Sequence, residues 1–578
     1  MPTKRSPSPS TSNITKKLKL NNHLDFNSYT NFQSKYYPKQ VSIKHANQWN
    51  NGEKSKPIDY FNKIYSKGPP KLNQDEKFLV HLFKNDLRIH DNTSFYNCIK
   101  DSQKINANPI GIYIISTKFW NSHLESSYKI DFILRNLKSL KESLLKLNIP
   151  LFIYYFDDDN KSNNEFVKYL ESIMTNLKSN TIYYNLNYEI DEFNRDLLIL
   201  ENSKLESHIY HDQCIVPPQV LTTLKGTQFS KFSPFYKKWD EYLKTNPIEL
   251  LELDFTKDKF SKWDWSQISH DNTLEQNDLT YNHFKLNSLK DLGVSDKDIK
   301  QTQDFYKSGE SEAQTHLTNW FKKIKNYQSN KDFPSEISTS RLSPYITQGV
   351  ISPRYIVLES MKLNKGKRVG GNTGIDTFIK EVGWRDFYRH VMINWPFLMM
   401  FIPFNFSSLD LKWSQDYENF EKWCLGETGF PIVDASMKQL LNTGYMNNRC
   451  RMIVASFLTK DLAIDWRIGE RWFYNHLIDG DLISNNGGWG FASSTGLDAQ
   501  PWFRIFNVYT QSEKFDSKGE FIKKWLPNLS KLDNVHEPYN EKIDHKEVEK
   551  LTNGYPKPIV DRKKAREETL NRYRDALM

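Results

Sequence analysis

The chain has 578 residues, more than one hydrophobic core ordinarily organises, so at least two domains are expected, with room to bury a large ligand. Lys and Arg total 79 against 70 Asp and Glu, a net charge of +9 that permits a nucleic-acid partner without requiring one. The four cysteines (Cys98, Cys214, Cys424, Cys450) form no CxxC pair, and no apolar run approaches the roughly 20 residues that span a bilayer, which argues against a disulfide framework, a zinc knuckle or a membrane span and for a soluble protein of a reducing compartment.

Residues 1–76 are rich in Ser, Asn, Lys and Pro with little apolar periodicity, and read as a disordered basic extension. Within it, Lys4-Arg5 and Lys16-Lys17-Leu18-Lys19 have the layout of a two-part nuclear import signal. A mitochondrial presequence and a merely solvated basic tail are the competing readings. From 77 to 215, the apolar runs Phe78–Phe83, Ile110–Ile115, Leu151–Phe156 and Thr181–Tyr184 alternate with amphipathic segments such as Ile130–Leu147. That alternation predicts a parallel, Rossmann-like α/β domain. Residues 216–300, mixed in character, read as an interdomain connector, and 301–530 as an all-α domain, with a helix over Pro431–Asn442 that starts on its proline. The charged stretch 531–578 reads as a loose tail ending in a short helix.

Several stretches carry chemistry. In Ser338-Thr339-Ser340-Arg341-Leu342-Ser343-Pro344-Tyr345, hydroxyls and amides precede a helical pattern, which suits phosphate oxygens but also ordinary capping. Glu381, Arg385 and Tyr388 or Arg389 share one helical face, as an exposed ion-paired helix would also arrange them. Asp479-Gly480-Asp481 leads into Asn485-Asn486-Gly487-Gly488-Trp489, where carboxylates can close a turn or accept from a heterocycle's N–H. With Met446-Asn447-Asn448-Arg449-Cys450-Arg451-Met452 between them and Asp498-Ala499-Gln500-Pro501-Trp502-Phe503-Arg504 after, this ordered set resembles the flavin-binding half of the DNA photolyase/cryptochrome family. Lys84-Asn85-Asp86-Leu87-Arg88-Ile89-His90-Asp91-Asn92 extends the resemblance into the N-terminal domain, so that it covers about 77–530. The pattern is most similar to fungal and bacterial class I enzymes that repair cyclobutane pyrimidine dimers.

The resemblance implies FAD held by Tyr327, Thr339, Ser340, Arg341, Leu342, Ser343, Phe378, Arg385, Asp479, Gly480, Asp481 and Asn485, with Asp479 also paired to Arg451. Asn485, where relatives that act as photoreceptors carry Asp or Cys, implies repair with fully reduced anionic flavin rather than the alternative, a cryptochrome-like blue-light receptor. Glu381, Trp384, Asn448 and Met452 would line the cavity for a flipped-out dimer, and Asn447-Asn448 replaces the His pair of (6-4) photolyases. The implied mechanism is electron donation from excited flavin to the dimer, ring opening and electron return, with a protonated Glu381, Arg385 and Asn448 stabilising the transient anion. Lys331, Arg389, Arg449 and Gln511, with Glu381, Trp384, Arg385, Tyr388 and Asn448, are the implied contacts to damaged DNA, most of them sequence-independent and salt-sensitive.

Trp413, Trp466 and Trp489 match the family's tryptophan electron-transfer chain. His123 and Glu192 match contacts to a 5,10-methenyltetrahydrofolate antenna, although Met399-Met400 stands where a Cys-Lys pair is expected, and a deazaflavin or no antenna are the alternatives. Phe378 and Phe491 replace tryptophans common in bacterial relatives. A monomer is expected, with UV-damaged DNA as its partner and the nucleus, or secondarily the mitochondrion, as its destination.

Overall fold

The computed structural model describes residues 38–156, 162–254, 260, 265, 268–270, 272–540 and 543–578. The basic clusters of the first 20 residues lie outside this set.

Five parallel strands, β1 (Phe78–Leu82), β2 (Asn108–Ile115), β3 (Leu151–Tyr155), β4 (Thr181–Asn185) and β5 (Glu206–Tyr210), form one sheet in the order β3-β2-β1-β4-β5. β1 and β4 are buried along their whole length, as a parallel sheet covered on both faces requires. Before the sheet come α1 (Ile43–Asn50) and α2 (Pro57–Ile64); between strands run α3 (Thr93–Ile105), α4 (Ser127–Leu145), α5 (Asn163–Asn176) and α6 (Ile190–Asn202). Asn92 caps α3 and Ser126 caps α4 through side-chain oxygens that accept from Phe95 N and Lys129 N. The strand order reverses between β1 and β4, and ligand crevices of such sheets open beyond the strand C-termini. The α/β fold class and the four strands read from sequence are present.

After α7 (Phe232–Thr245) the structure is helical: α8 (Thr373–Asn394), α9 (Pro431–Thr443), α10 (Asn448–Ser456), α11 (Trp466–Tyr474), α12 (Leu482–Ser493) and α13 (Arg562–Leu577) carry what matters for the site. The Asn85–Asn92 signature clamps the two domains together. Leu87 N donates to Gln348 O, Arg88 reaches Gly349 O, and Asp212 sits between Arg88 and Arg354 at 2.5 and 2.8 Å. Burial opposes ionisation of Asp212, but the two guanidinium groups hold it well below the usual carboxylate range. Gly349, at φ +60°, has no room for a side chain, since a Cβ would lie 2.2 Å from Asn85 O.

Three expectations change. Residues 38–76 are not a loose extension: α1 buries Trp49, α2 buries Phe61 against Phe193 of α6, and Lys56 Nζ donates to Asn394 Oδ1 of the helical domain. Nor is 531–578 a loose tail. Val548, Tyr555 and Tyr573 are buried, and on the last helix, α13, Tyr573 donates to Ser493 O and Arg562 pairs with Asp461 at 2.9 Å. The connector region is also more than a linker, because α7 packs on α8 and buries Phe235 and Trp239. Among the described residues no helix is long and apolar enough to cross a membrane.

Candidate functional site

The middle of α8, the first turns of α10 and the length of α12 converge on a cavity of about 600 Å³, within the roughly 300–1000 Å³ of a ligand-sized pocket. Glu381, Trp384, Arg385 and Tyr388 come from α8; Asn448, Arg449 and Met452 from α10; Asp481 caps α12, and Ser484, Asn485, Trp489 and Phe491 lie on it. Lys331, Ser343, Arg451, Asp479 and Gly488 complete the lining among the residues singled out from sequence. Asp332, Ile346, Thr347, Ala455, Phe473 and Leu477 also line it and were not anticipated; they carry no motif signal.

One wall is built from buried charge. Asp481 accepts from the backbone N–H of Ile483 and Ser484 at the start of α12 and pairs with Arg389 at 2.6 Å. Burial disfavours its charge, but Arg389 and Arg385 outweigh that and hold the carboxyl well below its ordinary range. Arg385 is itself pushed down to about 10, first by burial and then by Arg389. It donates to Gln213 O. Asp479 pairs with Arg451 at 2.9 Å, as the sequence reading supposed.

The opposite side is polar and more open. Lys331 Nζ lies 2.6 Å from Glu381 Oε1, Arg449 pairs with Asp332 at 2.8 Å while its guanidinium covers the Phe515 ring at 4.4 Å, and Asn448 Nδ2 approaches Met452 Sδ at 3.8 Å. The Glu381 side chain is 38% exposed. The buried setting on which a protonated Glu381 was expected is therefore absent, and Lys331 supplies the compensating charge.

Other expected residues lie outside the lining. Arg389 is buried in its pair with Asp481, so it cannot meet DNA phosphates; its burial depends on α12, distant in sequence and invisible in the local pattern. Tyr327 and Phe378 pack edge to face at 5.7 Å. The hydroxyl stretch makes no side-chain cap: the helix after it spans only Ser343–Thr347, with Leu342 as its N-cap, Thr339 bonded to Tyr445, Ser340 O accepting from His316, and Arg341 over Tyr445 at 4.6 Å. Gly480 lies in the turn between Asp479 and Asp481, and Gln511 is half-buried on the helix Val508–Phe515.

The residues fit a flavin dinucleotide. Arg385 Nε, buried without an acceptor among the described residues, suits a phosphate oxygen. Asn485 Nδ2 is engaged by Glu470 O at 2.9 Å, which leaves Oδ1 to accept from a ring N–H. Close packing shapes the surface: a Cβ on Gly487 would fall 2.4 Å from the Tyr388 ring, so glycine lets that tyrosine lie flat on α12.

Comparison with known proteins decides the family. The family model described as the FAD binding domain of DNA photolyase matches residues 378–575, and that described as DNA photolyase matches 79–252. The mitochondrial deoxyribodipyrimidine photo-lyase of Saccharomyces cerevisiae is 39% identical over 99% of both chains. The chain belongs to the DNA photolyase family. The deoxyribodipyrimidine photo-lyase of Neurospora crassa is 35% identical over 94% of this chain and 89% of its own. A class III photolyase structure from Agrobacterium tumefaciens superposes with a TM-score of 0.74 at 28% identity, covering 88% of this chain and 98% of that one. FAD is the cofactor of this photolyase-family chain, as its matched FAD-binding domain and the donor set of the cavity agree.

Of the three tryptophans matched to the family's chain, Trp489 lines the cavity, Trp466 is buried on α11, and half-buried Trp413 lies under the Arg572 guanidinium at 5.1 Å. Gly469, three residues after Trp466, admits Trp489, whose ring would lie 2.3 Å from a Cβ there. Trp489 also meets Phe473 at 5.0 Å and Trp423 at 6.2 Å; Trp423 was not anticipated.

His123 and Glu192 line separate cavities. His123, bonded to Asp191 and Phe119 O, borders a small cleft of about 20 Å³ with Pro38 and Tyr474. Glu192 faces a cavity of about 80 Å³ at the C-terminal ends of β1 and β2 together with Lys84, Tyr113 and Arg195. Burial raises the Glu192 carboxyl against the pull of Arg195 and Lys84.

Proposed function

We propose that this chain is a light-driven DNA-repair lyase that splits cyclobutane pyrimidine dimers. The observation that carries the reading is one cavity in which the lesion candidates Glu381, Trp384, Asn448 and Met452 face the flavin candidates Arg385, Asp481 and Asn485. The chemistry that bound, reduced FAD supplies is donation of one electron to the dimer under light and its recovery after the ring opens.

The protein's own groups bind, orient and stabilise. Arg385 and the Arg389–Asp481 pair place fixed charge at the flavin side, and Asn485 Oδ1 would accept from a flavin ring N–H. Asn448 and Glu381 offer hydrogen-bond partners to pyrimidine carbonyls and N–H groups, while Met452 and Trp384 supply apolar walls. The Lys331 ammonium, beside Glu381, adds positive charge where a transient dimer anion would form. Lys331 and Arg449 also stand at the opening, where phosphate contacts give affinity without sequence reading. The names of the yeast and Neurospora relatives support the lyase reading over a photoreceptor.

Illumination of the purified, reduced protein with dimer-containing DNA should restore thymines at a rate proportional to bound flavin. Intact flavin with no restoration under light would sink the lyase reading and favour the cryptochrome-like one. The absorption spectrum of the same fresh preparation reads out the antenna: a near-ultraviolet folate band places methenyltetrahydrofolate on the chain, and flavin bands alone reject it. For residues 1–37, the yeast relative's name supports a mitochondrial address beside the nuclear one inferred from Lys4-Arg5 and Lys16–Lys19. A reporter fused to this segment distinguishes the two, and a cytosolic reporter rejects both.

A further inference from the structure

Trp384 presents an indole to the cavity, and its ring neighbours on its own helix, Phe387 and Tyr388, stand off at 5.7 Å. Behind it lies Phe232, the first residue of α7, almost fully buried. The two rings stack with centroids 3.5 Å apart and planes 9° from parallel, closer and flatter than the other ring contacts around Trp384. The column continues through Tyr236 (5.5 Å, 25°) to Trp239 (5.5 Å, 17°). Its far end is anchored, because Trp239 Nε1 donates to buried Asp386 at 3.0 Å. Its side is anchored too: the Tyr236 ring lies against Gly383, where a Cβ would come within 2.9 Å of it.

The near end is held from another part of the chain. Asp498, in a left-handed conformation at φ 50°, accepts from Phe232 N at 3.0 Å and pairs with Lys231 at 3.1 Å. It belongs to the segment that follows α12, the helix carrying Asn485 and Phe491. Thus the flavin-side helix and the lesion-side wall are tied through one carboxylate and one ring.

We propose that Phe232, clamped by Asp498, is a positioning residue that fixes the Trp384 indole as a rigid wall for the flipped pyrimidine dimer. The inference rests on the reading that Trp384 borders the lesion. A wall already ordered before binding spares the complex the entropy of ordering it, and an aromatic pair with this geometry restricts the ring more than an aliphatic neighbour would.

The test is a double-mutant cycle of Phe232→Met and Trp384→Ala in the full-length flavoprotein, read as affinity for an oligonucleotide with a single dimer, affinity for the same undamaged sequence, and flavin-to-protein ratio. Phe232→Met should weaken dimer binding by about three- to tenfold, the span of one aromatic pair, with undamaged-DNA affinity and flavin content unchanged. Trp384→Ala should weaken it further, and adding Phe232→Met to Trp384→Ala should then cost nothing. Additive losses would overturn the proposal, since Phe232 would be acting apart from Trp384. Dimer affinity untouched by Trp384→Ala would instead overturn the lesion-cavity reading and the inference with it. Should Phe232→Met lose flavin, Asp498→Ala keeps the ring and removes only the clamp. A smaller loss of dimer affinity, absent in the Trp384→Ala background, supports the proposal, and unchanged affinity refutes it.

Discussion

Asp481→Asn should purify with little flavin and unfold at lower denaturant than the parent protein. Asparagine caps a helix as well as aspartate does, so the N–H groups of Ile483 and Ser484 keep an acceptor and α12 keeps its start. What is lost is charge. Arg389 is buried, its Nε and Nη1 lack acceptors among the described residues, and its partner is Asp481 at 2.6 Å. Removing one member of such a pair leaves an uncompensated buried cation, at a cost of about 3–5 kcal/mol. The pH dependence identifies the cause. The native carboxyl of Asp481 lies well below its ordinary range, so its stabilisation is complete above the unfolded value, near about 4, and is lost as pH falls through the native one. The stability gap between parent and variant is therefore widest at neutral pH and narrows in acid. A gap independent of pH from neutral down to the acid limit of folding would show that the pair is not its source, and full flavin retention would remove Asp481 from the flavin site.

How far the fold was legible follows the physics of each element. β1 to β4 are apolar runs such as Phe-Leu-Val-His-Leu, buried throughout in β1 and β4 and still apolar in the edge strand β3, Leu-Phe-Ile-Tyr-Tyr, and such strands announce themselves. β5, Glu-Ser-His-Ile-Tyr, lies at the sheet edge with partly exposed ends, so it has no apolar run and was not read. α13, expected only as a short helix ending a loose tail, buries Ala565, Thr569 and Tyr573, a stripe four residues apart on an otherwise charged helix, too sparse a pattern for its packing to be read from composition. α1 and α2 were missed for a similar reason, since a few residues such as Trp49 and Phe61 anchor each in a polar background. At the site, residues close in sequence and bound by helical spacing were placed together correctly, Glu381 with Trp384 and Arg385, and Asn448 with Met452. Properties set by distant partners were not. Arg389 meets Asp481, Glu381 meets Lys331, and Trp384 meets Phe232 across separations that no local pattern encodes.

Glu381→Ala should separate lesion recognition from flavin binding. Glu381 lines the cavity near its opening, 38% exposed, and pairs with Lys331 at 2.6 Å. Neither group touches the Arg385–Asp481–Asn485 side, so the variant should keep its flavin-to-protein ratio. A hydrogen bond from a pyrimidine N–H to a carboxylate contributes about 1.5–3 kcal/mol, and losing it should weaken binding of dimer-containing DNA by about ten- to a hundredfold, with a matching fall in repair at subsaturating DNA. Undamaged DNA responds in the opposite direction. Removing one negative charge frees the Lys331 ammonium for phosphate, so non-specific affinity should hold or rise slightly at low salt. The discrimination between damaged and undamaged strands therefore falls from both ends, a signature that misfolding cannot imitate, because misfolding lowers both affinities and the flavin content together. Equal loss of flavin and repair would assign Glu381 to the structure of the cavity rather than to the lesion.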